Sequence, residues 1–200
     1  MLGRMIIVVL AGFLIGAIAG AAVLALTGNG SGPAVATSGK ALVGGPFTLI
    51  DQTGKTVTDQ DFRGRYMLVF FGFTHCPDIC PAELQVISQS LDALGPKAEE
   101  VVPLFITLDP ERDTPEVMAA YVKNFGTRFV GLTGTPEAIA AAAKAYRVAY
   151  AKFQEDPASA DYSVDHSALV YLMDKNGEYV TNFPYGTPAS KMTEELRRYL

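Results

Sequence analysis

The chain has 200 residues and a formal net charge of −5, which is enough sequence for a short N-terminal segment and one domain. All acidic residues, and all basic residues except Arg4, lie within residues 40–200. The acidic balance and the lack of a basic patch argue against nucleic acid as a partner. Cys76 and Cys80 are the only cysteines, so any thiol chemistry of this protein depends on one pair.

The N-terminal segment is strongly apolar. Residues 5–26 contain no charged side chain, and as a helix they would extend about 33 Å, enough to cross a bilayer core of about 30 Å. The positive charge of Arg4 predicts that residues 1–4 stay in the cytoplasm and that the chain after the span lies on the other side. Small residues such as Ala19 and Ala21 also fit a signal-peptide cleavage site. The apolar stretch is longer than a signal peptide needs, so we expect a retained transmembrane anchor.

Residues 27–44 are predicted to form a flexible linker, because their first part consists mainly of Gly, Ser, Thr, Ala and Pro. The domain then covers residues 45–200. Its predicted strands are 46–51, 56–58, 65–73, 101–108, 129–132, 168–173 and 179–183. Its predicted helices are 81–94, 115–125, 136–146 and 188–200. Strands that alternate with helices, followed by an antiparallel hairpin and a closing helix, predict an α/β fold with a mixed sheet flanked by helices.

The cysteine pair lies between the buried strand 65–73 and the helix 81–94. Four residues make about one helical turn, so both sulfurs can face the same way at the mouth of the helix. Two thiols placed like this can close a disulfide or share a soft metal ion. We expect the helix N-terminus to lower the pKa of both thiols.

This order of elements, with a cysteine pair between the first buried strand and its helix, resembles the thioredoxin fold. In thioredoxin-like proteins the residue just before the strand of the late hairpin lies across from the cysteine pair and is normally a cis-proline. His166 occupies that place here, so the resemblance implies an imidazole opposite the two thiols. Taken alone, His166 would be interpreted as an ordinary loop histidine held by Asp165 or by a backbone carbonyl.

The donor atoms of such a site favour copper. Thiolate is soft and selects Cu(I), for which three ligands are adequate, whereas structural zinc normally takes four. His75 is adjacent to Cys76 in sequence, so its side chain is predicted to point away and to lie at the surface. Asp78 is interpreted as a solvated acid at the start of the helix, with a role in tuning metal binding as the alternative.

Three segments resemble the signatures of the Sco (SenC) family. They are residues 71–81 (FGFTHCPDICP), 109–115 (DPERDTP) and 161–167 (DYSVDHS). The resemblance implies a thioredoxin-like, membrane-anchored metallochaperone, not an enzyme, that delivers copper to the CuA site of cytochrome c oxidase subunit II. It also implies that Cys76, Cys80 and His166 bind copper in both its Cu(I) and Cu(II) forms. The expected partners are subunit II and other copper chaperones or thiol reductants, and the expected location is the bacterial inner membrane, as a single-pass protein with its domain in the periplasm.

A different class of function stays open. Cys76 and Cys80 are close enough for a disulfide, so a periplasmic thiol–disulfide oxidoreductase, a peroxidase or a redox sensor is the alternative. Thioredoxin-type motifs have two residues between their cysteines and this chain has three. The missing cis-proline and an otherwise unexplained His166 favour the metal site, and a purely structural disulfide would also leave His166 unexplained. Residues 109–114 are expected only to satisfy backbone groups and each other.

Overall fold

The computed structural model of the protein describes residues 42–154 and 162–200. The predicted anchor, residues 5–26, lies outside them, as does most of the predicted linker. The strands are β1 (Thr48–Asp51), β2 (Thr56–Thr58), β3 (Tyr66–Gly72), β4 (Val101–Thr107), β5 (Val130–Thr133), β6 (Tyr150–Phe153), β7 (Ser163–His166), β8 (Leu169–Met173) and β9 (Tyr179–Pro184). The helices are α1 (Ile79–Leu94), α2 (Pro115–Val122), α3 (Pro136–Ala145) and α4 (Ala189–Tyr199).

Seven strands form one mixed sheet in the order β2-β1-β5-β4-β3-β8-β9. The strands β3, β4 and β5 are parallel, while β1 and β8 join them antiparallel. Nearly every residue of β3 and all of β4 are buried, as their continuous apolar sequences require of central strands covered on both faces. The predicted α/β class and the mixed sheet flanked by helices are confirmed.

The helix α1 follows β3 and carries the second cysteine. Its buried face contains the four predicted apolar residues, Leu84, Ile87, Leu91 and Leu94, and this helix packs against α4. It begins at Ile79, two residues before the predicted start. Cys80 therefore lies in the first helical turn, and Cys76 lies in the loop before it.

The helices α2 and α3 start as predicted, each with a threonine cap followed by a proline. The Thr114 hydroxyl accepts from the Val117 N–H, and the Thr135 hydroxyl accepts from the Ala138 N–H. Met118 and Val122 of α2 are buried, Tyr121 packs partly against the core, and Val117 is exposed.

The strands β6 and β7 were not predicted and form a separate two-stranded ribbon, in which Tyr150 pairs with His166 and Phe153 with Ser163. Only Val164 of this ribbon is fully buried. The ribbon's sequence therefore does not show the alternation of apolar and polar residues that marks a half-buried strand. His166 was predicted in a loop and is the last residue of β7.

Contacts of the domain begin before residue 45. Gly44 donates a backbone hydrogen bond to the Ala145 carbonyl at 3.0 Å, and the Leu42 carbonyl accepts from the Arg147 side chain at 3.0 Å. Within the described ranges no helix is both long and apolar enough to span a membrane.

Candidate metal centre

The cysteine loop joins the end of β3 to the start of α1. Cys76 is half-buried in this loop, and Cys80 is fully buried in the first turn of α1. The Cys80 N–H donates to the Cys76 sulfur at 3.4 Å, so the two residues are in contact across one turn. Both are free thiols in the structure.

Gly72, the last residue of β3, makes room for this arrangement. A Cβ at this position would lie 2.7 Å from the Cys80 sulfur and 2.9 Å from the Phe105 ring. Real Cβ atoms do not approach other heavy atoms so closely. The absence of a side chain at Gly72 therefore allows the Cys80 sulfur to pack directly on the strand backbone.

His166 meets the pair as the sequence predicted, although 86 residues separate it from Cys80. Its Nε2 atom lies 3.7 Å from the Cys80 sulfur, and its Nδ1 atom lies 3.2 Å from the Ser167 carbonyl oxygen. A carbonyl can only accept, so Nδ1 donates to it, and Nε2 is the ring nitrogen that faces the sulfur. The Phe70 and Phe73 rings stand edge-on to the imidazole and limit its rotation.

The pKa values of the two thiols are shifted in opposite directions. The pKa of Cys76 is lowered to about 5, chiefly because the Cys80 thiol donates a hydrogen bond to its sulfur, with help from backbone N–H groups at the start of α1. The same hydrogen bond and burial raise the pKa of Cys80 above its ordinary value. The prediction that the helix N-terminus lowers both pKa values was therefore wrong for Cys80. The pair is a thiolate next to a thiol, with one proton between them.

The two polar residues beside the cysteines do not approach the sulfurs as ligands. His75 is exposed, and its Nδ1 atom lies 3.2 Å from the Thr74 hydroxyl and 3.8 Å from an Asp113 carboxylate oxygen. Asp78 is exposed at the N-cap position of α1 and makes no side-chain capping hydrogen bond there. Both placements agree with the sequence interpretation of surface residues.

The loop between β4 and α2 holds two carboxylates that sequence reasoning undervalued. Asp109 and Asp113 are fully buried. The Asp113 side chain accepts from the Thr74 N–H at 3.0 Å and the Thr74 hydroxyl at 2.5 Å, two residues before Cys76. The Asp109 side chain accepts from the Tyr162 hydroxyl at 2.6 Å, just before β7. The loop thus does more than satisfy its own backbone, and the only sequence signal was the family resemblance.

A metal ion fits between Cys80 and His166. In proteins zinc lies about 2.3 Å from sulfur and about 2.0–2.1 Å from imidazole nitrogen, so one ion of similar size can reach both atoms across 3.7 Å in a bent arrangement. Among residues 42–154 and 162–200, no three His, Cys, Asp or Glu side chains are already arranged to hold a metal. Cys80 contacts both Cys76 and His166, and the roles of all three residues as metal ligands stay predictions.

The site opens into a cavity of about 480 Å³ that exposes Cys76 and His166. Phe153 from β6 and Ile79 from α1 border this cavity, and both side chains are exposed to solvent. An apolar rim around a half-buried thiolate leaves the sulfur accessible to another protein.

Comparison with known proteins decides the family. The SCO1/SenC family profile matches residues 35–200. The chain belongs to this family. The mitochondrial Protein SCO1 homolog of Homo sapiens is 44% identical over 167 residues, which cover 80% of this chain and 55% of that protein. This SCO1/SenC chain thus spans little more than half the length of that curated relative.

Solved structures of Sco proteins share the fold. ScoI of Bradyrhizobium japonicum, determined with copper bound, has a TM-score of 0.73 and 45% identity, and the match covers 79% of this chain and 99% of that one. BsSco, described as a member of the Sco family of cytochrome c oxidase assembly proteins with a disulfide switch, has a TM-score of 0.59 and 25% identity, covering 77% of this chain and 91% of its own. The relatives thus include one protein with bound copper and one described with a disulfide switch.

Proposed function

We propose that this chain is a membrane-anchored copper metallochaperone that delivers copper to the CuA site of cytochrome c oxidase subunit II. The observation that carries the proposal is the 3.7 Å contact between the Cys80 sulfur and the His166 Nε2 atom, next to the low-pKa Cys76. Two sulfurs and one imidazole nitrogen are donors that copper accepts in both of its oxidation states. The copper-bound relative from Bradyrhizobium japonicum supports the choice of metal.

Each residue has a distinct role in taking up the cargo. Cys76 supplies a thiolate that is already deprotonated at neutral pH, because its pKa is about 5. Cys80 must lose its proton before its sulfur can bind, so copper uptake releases that proton to solvent. His166 offers the Nε2 lone pair, while its Nδ1–H stays on the Ser167 carbonyl. A three-ligand site that opens to solvent suits transfer to a partner better than storage.

The anchor and the location rest on the sequence. Residues 5–26 would hold the protein in the bacterial inner membrane with the domain in the periplasm. Cell fractionation with N-terminal sequencing tests this part. An intact N-terminus in the membrane fraction is expected, and a mature N-terminus near Ala21 would show cleavage instead.

The same cysteines support a second function, reduction of the CuA cysteines of subunit II. In this reaction the Cys76 thiolate attacks a disulfide of the partner, and the Cys80 sulfur then displaces the partner from the mixed disulfide. The chain ends with a Cys76–Cys80 disulfide, and the partner is released as two thiols after gaining two electrons from the pair, one proton from Cys80 and one proton from solvent. The low pKa of Cys76 beside the Cys80 thiol and the disulfide switch reported for BsSco favour this activity.

A transfer experiment tests delivery. The copper(I)-loaded full chain in detergent is mixed with the copper-free, reduced CuA domain of subunit II, and copper in each protein is counted after separation. We expect copper to move to the recipient with the wild type, and little copper to be loaded or moved with His166→Ala. Copper that stays on the chaperone would refute delivery. Thiol counting with an oxidised recipient tests the reductase activity in the same mixtures.

A further inference from the structure

The three candidate ligands sit on two structural units that are not paired with each other. Cys76 and Cys80 belong to the loop and helix that follow β3, in the main sheet. His166 ends the β6–β7 ribbon, and in the described residues the strands of this ribbon pair only with each other. Residues 167–168 join His166 to β8, which pairs with β3. Within the described part of the chain, no ladder hydrogen bond holds the rest of the ribbon against the main sheet, so other contacts must do so.

The loop of residues 108–114, between β4 and α2, contacts both units. On the cysteine side, the Asp113 carboxylate accepts from the N–H and the hydroxyl of Thr74, and also from the Thr107 hydroxyl at 2.6 Å. The Thr133 hydroxyl donates to the Asp113 carbonyl at 2.7 Å, which fixes the loop to β5. The start of the cysteine loop is thus tied to the central sheet through one buried carboxylate.

On the histidine side, Asp109 holds the ribbon. Its carboxylate accepts from the Tyr162 hydroxyl at 2.6 Å and from the Arg112 side chain. The Arg112 guanidinium lies 3.7 Å from the centroid of the Tyr162 ring, and the Lys152 ammonium lies 4.7 Å from it. Lys152 also pairs with Glu111 of the same loop at 2.7 Å. Both strands of the ribbon are therefore connected to the 108–114 loop.

We propose that Tyr162 and Asp109 are positioning residues that hold His166 against Cys80, and that the 108–114 loop sets the geometry of the copper site from both sides. The proposal rests on the proposed function of that site. The hydrogen bond from Tyr162 is directional and ends on the fully buried Asp109 carboxylate, whereas the ring contacts of Arg112 and Lys152 with Tyr162 tolerate sliding. Losing the hydroxyl frees β7 to move away, four residues before His166. Outer-shell partners of this kind commonly change metal affinity by about 10–100-fold.

Tyr162→Phe is the sharpest test, because it removes the hydroxyl and keeps the ring between Arg112 and Lys152. We expect the full chain to bind copper(I) about 10-fold more weakly, and the amides of β6 and β7 in the copper-free protein to exchange with deuterium faster. Tyr199→Phe is the matched control, since it removes a tyrosine–carboxylate hydrogen bond, to Glu195 at 3.3 Å, in α4. This control should leave both readouts unchanged.

A double mutant separates positioning from general stability. If Tyr162 acts through His166, then Tyr162→Phe should change copper affinity less than 2-fold when His166→Ala is already present. If Tyr162→Phe weakened copper binding equally with and without His166, the proposal would be overturned. Unchanged amide exchange in the β6–β7 ribbon of Tyr162→Phe would overturn it as well. A wild-type chain that binds no copper would refute the proposed function, and ribbon exchange in the copper-free protein would still decide whether Tyr162 holds β7.

Discussion

At the scale of single residues, Cys76 and Cys80 are one helical turn apart and yet hold their protons very differently. Their spacing was visible in the sequence, and so was a helix N-terminus beside them. Neither showed that Cys80 would be buried against Gly72 while Cys76 stays half-exposed. The hydrogen bond from Cys80 to Cys76 and the burial of Cys80 separate the two pKa values. The burial depends on distant strands, so the asymmetry could not be predicted from local spacing.

This asymmetry predicts the pH dependence of thiol reactivity. In the reduced, copper-free protein, Cys76 should react with iodoacetamide along a titration with a midpoint near pH 5, and its rate should be flat above about pH 6. Cys80 should stay slow through pH 8, because its raised pKa keeps it a thiol. Mass spectrometry of quenched samples measures both rates.

Cys80→Ala provides the control. It removes the hydrogen bond that chiefly lowers the pKa of Cys76, so the midpoint for Cys76 should move up. Two cysteines that titrate together near pH 8–9 in the parent protein would contradict the thiolate–thiol description.

Glu83 provides a second prediction at this scale. It is buried in α1, its Oε1 atom has no hydrogen-bond partner among the residues that the structure describes, and burial raises its pKa to about 7. Below about pH 4.5 this carboxyl is protonated in the folded and the unfolded protein. As the pH rises to about 7 only the unfolded state gives up the proton, so stability falls, by about 3 kcal/mol in all.

Glu83→Gln removes this titration. Urea unfolding at pH 5, 6, 7 and 8 should show the variant gaining stability relative to the wild type as the pH rises, with most of the gain complete by pH 8. Parallel stability curves for the two proteins would show that Glu83 is ionised in the fold and solvated.

At the scale of elements, the sequence predicted the strands and helices whose apolar residues are continuous or periodic. The strand β3 and the helix α1 were placed within two residues of their observed bounds, because a continuous apolar run and a repeat of leucines are strong signals. The β6–β7 ribbon was missed, because most of its residues are polar or exposed. Asp109 and Asp113 were noticed only through family resemblance, since their partners Tyr162 and Thr74 lie 53 and 39 residues away.

The junction of β3 and α1 is tested by Gly72→Ala. The added methyl group would collide with the Cys80 sulfur, so we expect a loss of about 1–3 kcal/mol in unfolding free energy and weaker copper binding. Gly131→Ala is a matched control in β5, where a Cβ would lie 3.1 Å from Val122 and 3.2 Å from Met118. It should cost stability and leave copper affinity unchanged. Equal affinities for the two variants would show that Gly72 does not shape the site.

At the scale of the whole molecule, the fold brings together a central-strand loop and a ribbon at one open cavity. The resemblance to the thioredoxin fold implied that His166 lies opposite the cysteine pair, and its imidazole lies beside Cys80 in the structure. Only the structure revealed the ribbon that carries His166 and the contacts of the 108–114 loop with this ribbon. The three candidate ligands could therefore be proposed together from the sequence, whereas the contacts that hold them in place could not.

The most direct test of the copper site is X-ray absorption at the copper edge of the reduced full chain loaded with copper(I), alongside Cys76→Ala and His166→Ala. One copper per chain with two sulfur and one nitrogen ligands is expected, with one sulfur lost in the first variant and the nitrogen lost in the second. A wild-type spectrum that His166→Ala does not change, or a chain that takes up no stoichiometric copper while its thiols cycle to a disulfide, would contradict the metallochaperone assignment.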